Sequence, residues 1–506
     1  MSARLERLAV LAITLPCLLA TGPDAAARDA ARDLETVGAP VRAAPVDPAI
    51  ARAVRQISPL RIRHTIETLV GFRTRSTLSS MDEDLPKGEG INAAADWIES
   101  ELKRYAAACQ GCLEVRRDTF TESAQERIPK PTTITNLFAV LRGSEAAQAK
   151  RVYLVTGHYD SRSTDVLDSH ADAPGANDDA SGVAVSLECA RVLSQLKPAA
   201  TLVFAAVAGE EQGLNGSRHL ATLAKSEGWH VEGVLNNDIV GGNTTAGDRR
   251  QSKALVRVFS EGMPVAATAE EAKLIVSLGY ESDSPSRELA RAVLEIGETY
   301  AGIELHGDSG AAAGQSAVRG FRPVLEFRRD RFLRGGDHTS FNEAGIAAVR
   351  FTEWREDFNH QHQQPRVENG LEYGDLLKFV DFQYVAHVAA VNAATLATLA
   401  AAPATPVNVR ILTSGLGNDT TLEWEDGEGV PAGARYEILW RELGSPQWQR
   451  SVTASPLIPA SSLAPGDGLA GRSATLPISK DNVIFAVRAA DSLGHRGPAV
   501  VPWPQR

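Results

Sequence analysis

Residues 151–196 read "RVYLVTGHYDSRSTDVLDSHADAPGANDDASGVAVSLECARVLSQL". A short apolar run ends at His158, an acidic loop follows, and "GVAVSLECARVLSQL" then carries apolar residues at helical spacing. That is a strand, a loop and a helix. From His158 onward the loop holds His170 together with Asp160, Asp165, Asp168, Asp172, Asp178 and Asp179. Carboxylates at this density repel one another and cost free energy to desolvate, and a bound cation removes the conflict.

Outward from this stretch the pattern repeats. "TITNLFAVLRG" precedes it, and "TLVFAAVAG", "GSRHLATLAKSEG" and "VEGVLNND" follow. Short strands alternating with longer helices predict an α/β domain over residues 129–400, with a mixed, largely parallel central sheet flanked by helices. Loops leaving the carboxyl ends of parallel strands line the crevice where such sheets bind ligands. His158, Glu210 and Asp238 each fall at or just past a strand end, so one rim can gather them.

The flanks are of other kinds. "MSARLERLAVLAITLPCLLATGPDAAARDA" places Arg4 and Arg7 before an apolar run and ends in Ala25, Ala26 and Ala27. It predicts a cleaved secretory signal over residues 1–27 and a secreted or periplasmic protein; a retained membrane anchor is the competing reading. Cys17 follows Leu15 and Pro16 without the small residues of a lipoprotein signal, so no lipid is expected, and no later segment reads as a span. Residues 28–128 read as mostly helical, from "IRHTIETLVGF" and "INAAADWIESELKRY". They are either helices integral to the α/β domain, at least from residue 58, or a propeptide, and removal of residues 28–57 stays open. "CQGC" offers Cys109 and Cys112 as a short disulfide or a thiol pair, and Cys189 reads as a buried small side chain.

Near residue 400 an Ala/Pro-rich junction leads to short alternating segments such as "TTLEWEDG", "ARYEILWRE" and "VIFAVRAADSLGHRG". They predict a β-sandwich over residues 401–506 that resembles a fibronectin type III domain, with Trp424 and Tyr436 in its strands. Such a domain could contact a surface or carbohydrate, or act as a spacer or cover. The net charge of -11 and the lack of a basic stripe argue against a nucleic-acid partner.

Four stretches carry the chemistry: "GHYDS", "GANDDASG", "AGEEQGLNGS" and "LNNDIVGG". His158, Asp178, Glu211 and Asp238 are donors of the kind a borderline ion such as zinc takes. Alone, each has a bland reading: a structural histidine, a turn with a helix cap, a solvated "EE" pair, a strand end. Together, all at strand ends, they describe a metal site. Adjacent glutamates suit divided duties, one on metal and one facing the reacting water. In a two-metal site a bridging hydroxide attacks a carbonyl, while the free carboxylate carries its proton to the leaving amine.

These elements, "H-x-D", "G-x-N-D-D-x-S-G", "E-E-x-G-x-x-G-S" and "N-x-D", stand in the order of the M28 zinc aminopeptidases over roughly residues 130–365. The chain resembles that family, most of all its secreted bacterial leucine-type members. The resemblance implies two zinc ions. It makes His158 and Asp238 ligands of one, Glu211 a ligand of the other, Asp178 the bridge and Glu210 the general base. Asp160 matches a partner of the His158 imidazole, and Asp179 a support of the loop. The last ligand is a histidine of "GGDHTSFNEAGIAAVRFTEWREDFNHQHQQPR". His362 fits by position, His360 is the runner-up, and His338 matches a segment outside the ligand set. "HQQPR" lacks the family's aspartate, and Gln361 stands where some relatives have a tyrosine, so the oxyanion is left to zinc or to a side chain not identified.

The implied activity is removal of an N-terminal residue from peptides or proteins. A carboxypeptidase or dipeptidase on the same site would need a cation for the substrate carboxylate. Arg328, Arg329, Arg331 and Arg334 offer one, or are only a solvated run. A glutaminyl cyclase fits less well, since such relatives use one zinc. A non-catalytic binding protein would have lost Glu210 or a ligand, and none is missing. His170, Asp165, Asp168 and Asp172 read as a polar surface excursion.

Overall fold

The computed structural model describes residues 37–306, 320–454 and 472–506. The signal expected over residues 1–27 lies outside the described residues. In chain order, β1 (Ala39–Pro40) precedes α1 (Pro48–Arg55), α2 (Pro59–Gly71) and α3 (Gly90–Ala108). Asp47 and Ser58 cap the first two helices, each with proline at its start. Then come β2 (Leu113–Glu122), β3 (Thr132–Leu141), β4 (Arg151–His158), α4 (Ala180–Leu193), β5 (Thr201–Val207), α5 (Asn215–Ser226) and β6 (His230–Asn237). They are followed by β7 (Leu255–Ser260), α6 (Ala269–Leu278), α7 (Pro285–Tyr300), β8 (Arg322–Glu326), α8 (His338–Glu343) and β9 (Ala348–Glu353). A hairpin, β10 (Arg366–Glu368) and β11 (Leu371–Tyr373), leads into α9 (Phe382–Ala401).

The central sheet has the order β2-β3-β5-β4-β6-β9-β7-β8. Strands β5, β4, β6 and β9 are mutually parallel, β3 and β2 extend the sheet antiparallel, and β7 runs against β9 but with β8. The fold is therefore α/β with a mixed sheet. Alternate residues of each strand serve opposite faces. Tyr153, Val155, Phe204 and Phe351 join one apolar core with α1–α4, α7 and α9. Leu154, Val203 and Val234 join another with Leu220 of α5 and Phe341 of α8.

The stretch over residues 28–128 is less uniformly helical than its sequence suggests. "LEVRRDTFTE" forms β2, because it can pair with β3 along its whole length, from Leu113 opposite Leu141 to Glu122 opposite Thr132. The helices before it supply Ile50, Val54, Ile62, Ile66, Leu69, Ile98 and Leu102 to the larger core. Cys109 and Cys112 are joined in a disulfide after α3, and Cys189 is buried in α4. Among the described residues α9 alone is long and apolar enough to cross a membrane. It is mostly buried, packed on α1, α2, α4, α7 and β4.

The last part of the chain forms β12 (Val407–Leu412), β13 (Thr420–Glu425), β14 (Arg435–Glu442), β15 (Arg450–Ala454), β16 (Arg472–Leu476), β17 (Val483–Ala490) and β18 (Trp503–Gln505). The sheets β16-β13-β12-β18 and β1-β15-β14-β17 close over Val409, Leu422, Trp424, Tyr436, Trp440 and Phe485 as a sandwich. Strand β1 reaches it from the other end of the chain, pairing Ala39 with Ser451.

Buried ion pairs pin the sandwich to α7. Asp283, just ahead of that helix, takes Arg291 at 3.2 Å and Arg441 of β14 at 2.6 Å. Trp448 Nε1 donates to Glu288 at 2.9 Å, and Glu295 accepts from Arg488 and Arg496, each at 2.6 Å. Removing one partner strands the other charge in a dry interface. Asp283→Ala is therefore expected to cost about 3 kcal/mol in denaturant unfolding followed by tryptophan fluorescence.

His495 ties the sandwich to α1 through Asp47 at 3.0 Å and Asp491 at 2.7 Å. Burial lowers its pKa, but the two carboxylates outweigh that and hold the imidazole above its ordinary value. A raised folded value means the contact stabilises fully below about pH 6.5 and fades as pH rises through that folded value. The melting-temperature gap between wild type and His495→Gln should be widest in mild acid and close in alkali. A gap that widens with pH would refute this assignment.

Candidate metal centre

The topology brings three strand ends side by side. His158 is the last residue of β4, Glu210 and Glu211 follow β5 after a short turn, and Asp238 follows β6 directly. Asp178 and Asp179 close the long loop after β4, where Asp179 caps α4 by accepting from Gly182 N–H at 3.0 Å. His362 arrives from the loop after β9, the next strand along the sheet. Ile239 turns the chain sharply after Asp238 at φ 63°, a left-handed conformation rare for a β-branched residue.

The side chains meet in two groups, His158 with Glu210 and Asp238, and Asp178 with Glu211 and His362. Asp178 stands between them: its Oδ1 is 3.1 Å from His158 Nε2 and its Oδ2 2.9 Å from His362 Nε2. His362 Nε2 is also 3.1 Å from Glu211 Oε1, and His158 Nε2 is 4.0 Å from Asp238 Oδ1. The adjacent glutamates thus divide between the groups.

Carboxylates set behind these donors hold them in place. Asp160, fully buried, accepts from Thr77 Oγ1 at 3.0 Å and from the N–H groups of Glu210 and Glu211 at 3.4 and 3.2 Å. Its own carbonyl oxygen lies 3.1 Å from His158 Nδ1, and its carboxylate 3.4 Å. One side chain therefore orients the imidazole and the glutamate turn together. Asp179 accepts from His158 N–H at 3.0 Å and from Ile239 N–H at 3.3 Å, tying three loops into one rim.

Sequence reasoning passed over several residues that do comparable work. Asp375 accepts from the N–H groups of Asn177 and Asp178, at 2.9 and 2.7 Å. Arg350 reaches Asp238 Oδ1 at 2.7 Å and Asp330 at 3.2 Å. Arg75, fully buried, donates to the carbonyls of Leu69, Tyr159, Pro174 and Gly175 and so pins the acidic loop. Arg350 left a signal: an arginine inside the apolar strand "AAVRFTEW" must have a buried partner. Asp375 and Arg75 sit in no motif.

The electrostatics show what the cluster lacks. Burial pushes Glu210 well above the usual carboxylate range, helped by Glu211, Asp238 and Asp337 and opposed by His158. Burial likewise raises Asp179 well above, and Asp337 up to about 7. Burial would lower both histidines, yet Glu211 and Asp178 lift His362 up to about 10, and Asp160 and Asp178 lift His158. Rings that draw protons this strongly mark a pocket short of positive charge. His158 Nε2 and Glu211 Oε1 are also buried, and neither is aligned for a hydrogen bond with the side chain 3.1 Å from it. Imidazole nitrogens and carboxylate oxygens with unused lone pairs fit zinc-type ions.

The other candidates lie elsewhere. His360 stacks on Phe379 with ring centres 3.6 Å apart and joins neither group. His338 is buried with Nε2 2.8 Å from the Arg329 carbonyl. Gln361 Nε2 donates to Asp178 Oδ2 at 3.0 Å. His170 pairs with Asp84 and Asp172 with Arg73, both at the surface.

Residues 136–261 match the model of peptidase family M28. A probable zinc metalloprotease of Leptosphaeria maculans is 44% identical over 465 residues, covering 92% of this chain and 99% of its own. One of Pyrenophora tritici-repentis is 43% identical over 471 residues, covering 92% and 89%. Both relatives are fungal, whereas the motifs pointed most of all to bacterial enzymes. The aminopeptidase LapA of Legionella pneumophila aligns with a TM-score of 0.44 at 18% identity, over 70% of this chain and 74% of its own. With the M28 motifs set on neighbouring strand ends around two groups of metal donors, the chain belongs to peptidase family M28.

Proposed function

We propose that the protein is a two-zinc aminopeptidase acting outside the cytoplasm on the N-termini of peptides. The observation that carries this is Asp178, with one carboxylate oxygen beside each histidine of the two donor groups. In this reading His158 and Asp238 would hold one ion, Glu211 and His362 the other, and Asp178 would serve both. Zinc supplies Lewis acidity, activating water and polarising the scissile carbonyl. The chain's own residues do the rest. Glu210 stands beside His158 and Asp238 with a proton affinity raised by burial; in this reading it is not a ligand, so it takes the water's proton and returns it to the leaving amine. Asp160 and Asp179 orient His158 and the glutamate turn, while Asp375 fixes the backbone that presents Asp178.

The Cys109–Cys112 disulfide supports an oxidising compartment, in line with the signal pattern over residues 1–27. The sandwich, read as fibronectin type III-like, serves as a cover fixed on α7, a role its buried ion pairs with that helix support.

Elemental analysis of the purified protein is expected to find about two zinc ions per chain, and chelation to abolish cleavage. An unblocked peptide should lose its first residue while its N-acetylated twin stays intact; release from the carboxyl end would move the activity to the carboxypeptidase class. Glu210→Gln should keep both ions and lower kcat by about 10²–10⁴. Loss of metal or of the fold in that variant would reject the assigned role. Asp178→Ala should instead lower zinc content first.

A further inference from the structure

A cavity of about 730 Å³, within the range that encloses a small ligand, opens onto Asp178, Glu211 and His362. Arginines line it, in two different states. Arg331 is paired with Asp330 at 3.1 Å and Glu356 at 2.8 Å, and Arg334 with Glu356 at 3.0 Å. Both are thus tied to carboxylates, which they share with Arg257 and Arg350. Arg127, from the loop between β2 and β3, donates to the Glu211 carbonyl at 3.0 Å. Arg162, from the loop after β4, donates to the carbonyls of Ser163 and Thr164, each at 3.1 Å. Among the described residues neither has a carboxylate partner.

The metal donors do not neutralise them either. Asp178, Glu211 and Asp238 would be taken up as ligands of the two ions and so would not serve as partners for these guanidinium groups. A guanidinium steadied by backbone carbonyls keeps its full charge and its remaining N–H donors for a planar carboxylate.

We propose that Arg127 and Arg162 receive a carboxylate of the bound peptide, so that the enzyme prefers substrates carrying a carboxylate close to the scissile bond. The group is either the side chain of an acidic residue beside the scissile bond or the free carboxyl end of a di- or tripeptide. The inference rests on the two-zinc peptidase reading and adds its substrate class.

The test compares kcat/KM for Leu-Ala, Leu-Ala-amide and Leu-Asp-amide in the zinc-loaded full chain, in wild type, Arg127→Gln and Arg162→Gln. At least one carboxylate-bearing peptide should exceed the neutral amide about tenfold, and that ratio should collapse in both variants. Leu-Ala leading identifies the free carboxyl end, and Leu-Asp-amide leading the side chain. Zinc content of each variant checks that Glu211 has kept its place. Cleavage of all three at similar rates, or a preference untouched in both variants, overturns the inference and leaves the peptidase reading standing. Cleavage of none, with zinc bound, removes that reading and this one with it. Calorimetry on the zinc-loaded protein reads the contact without turnover. Heat with glutarate but not glutaramide, lost in the variants, is expected; equal responses count against it.

Discussion

Carboxylates do not share a dry pocket without positive charge to hold them there, and most of the rim around the strand ends answers that constraint. Asp160, Asp178, Asp179, Glu211, Asp238 and Asp337 are all buried. Fixed cations meet part of the demand. Arg350 lies against Asp238, and Arg75 is buried behind the acidic loop, where burial brings its pKa down to about 10 against the pull of Asp375, Asp160 and Asp179. What these cations leave unmet falls on His158 and His362, the two rings beside Asp178. A site that charges its imidazoles when left to protons is built for a stronger cation.

The sheet makes that concentration affordable. Parallel strands β5, β4 and β6 bring His158, the paired glutamates and Asp238 to one edge, and the strand interiors beneath are mostly apolar, with Thr156 donating to Asn236 between them. Cores on both faces hold the strands, so the carboxylates strain against a rigid frame. Asp179 shows the economy of the design. It accepts hydrogen bonds from the end of β4, the start of α4 and the turn after β6.

Much of this was legible. His158, Asp178, Glu210, Glu211 and Asp238 could be picked out because each lies within a few residues of a strand end or helix start, and local periodicity marks those ends. His362 was harder to place. It shares its loop with His360, and nothing local says which ring reaches Asp178 and which stacks on Phe379. Arg75, Asp375 and Arg127 could not be read, since each acts on backbone atoms distant in sequence. Strand β2 was missed for a similar reason: it is an edge strand with polar residues on its open side, and its identity comes from pairing with β3.

By itself the sequence determined the α/β class, the order of the donor residues and the choice of nitrogen and oxygen ligands, because periodicity and side-chain chemistry are local properties. Tertiary structure alone decided which histidine completes the cluster, how two neighbouring glutamates part company, and which arginines lack a carboxylate partner among the described residues. Those outcomes turn on contacts between loops far apart in the chain, where distances of about 3 Å decide whether a charge is spent or free.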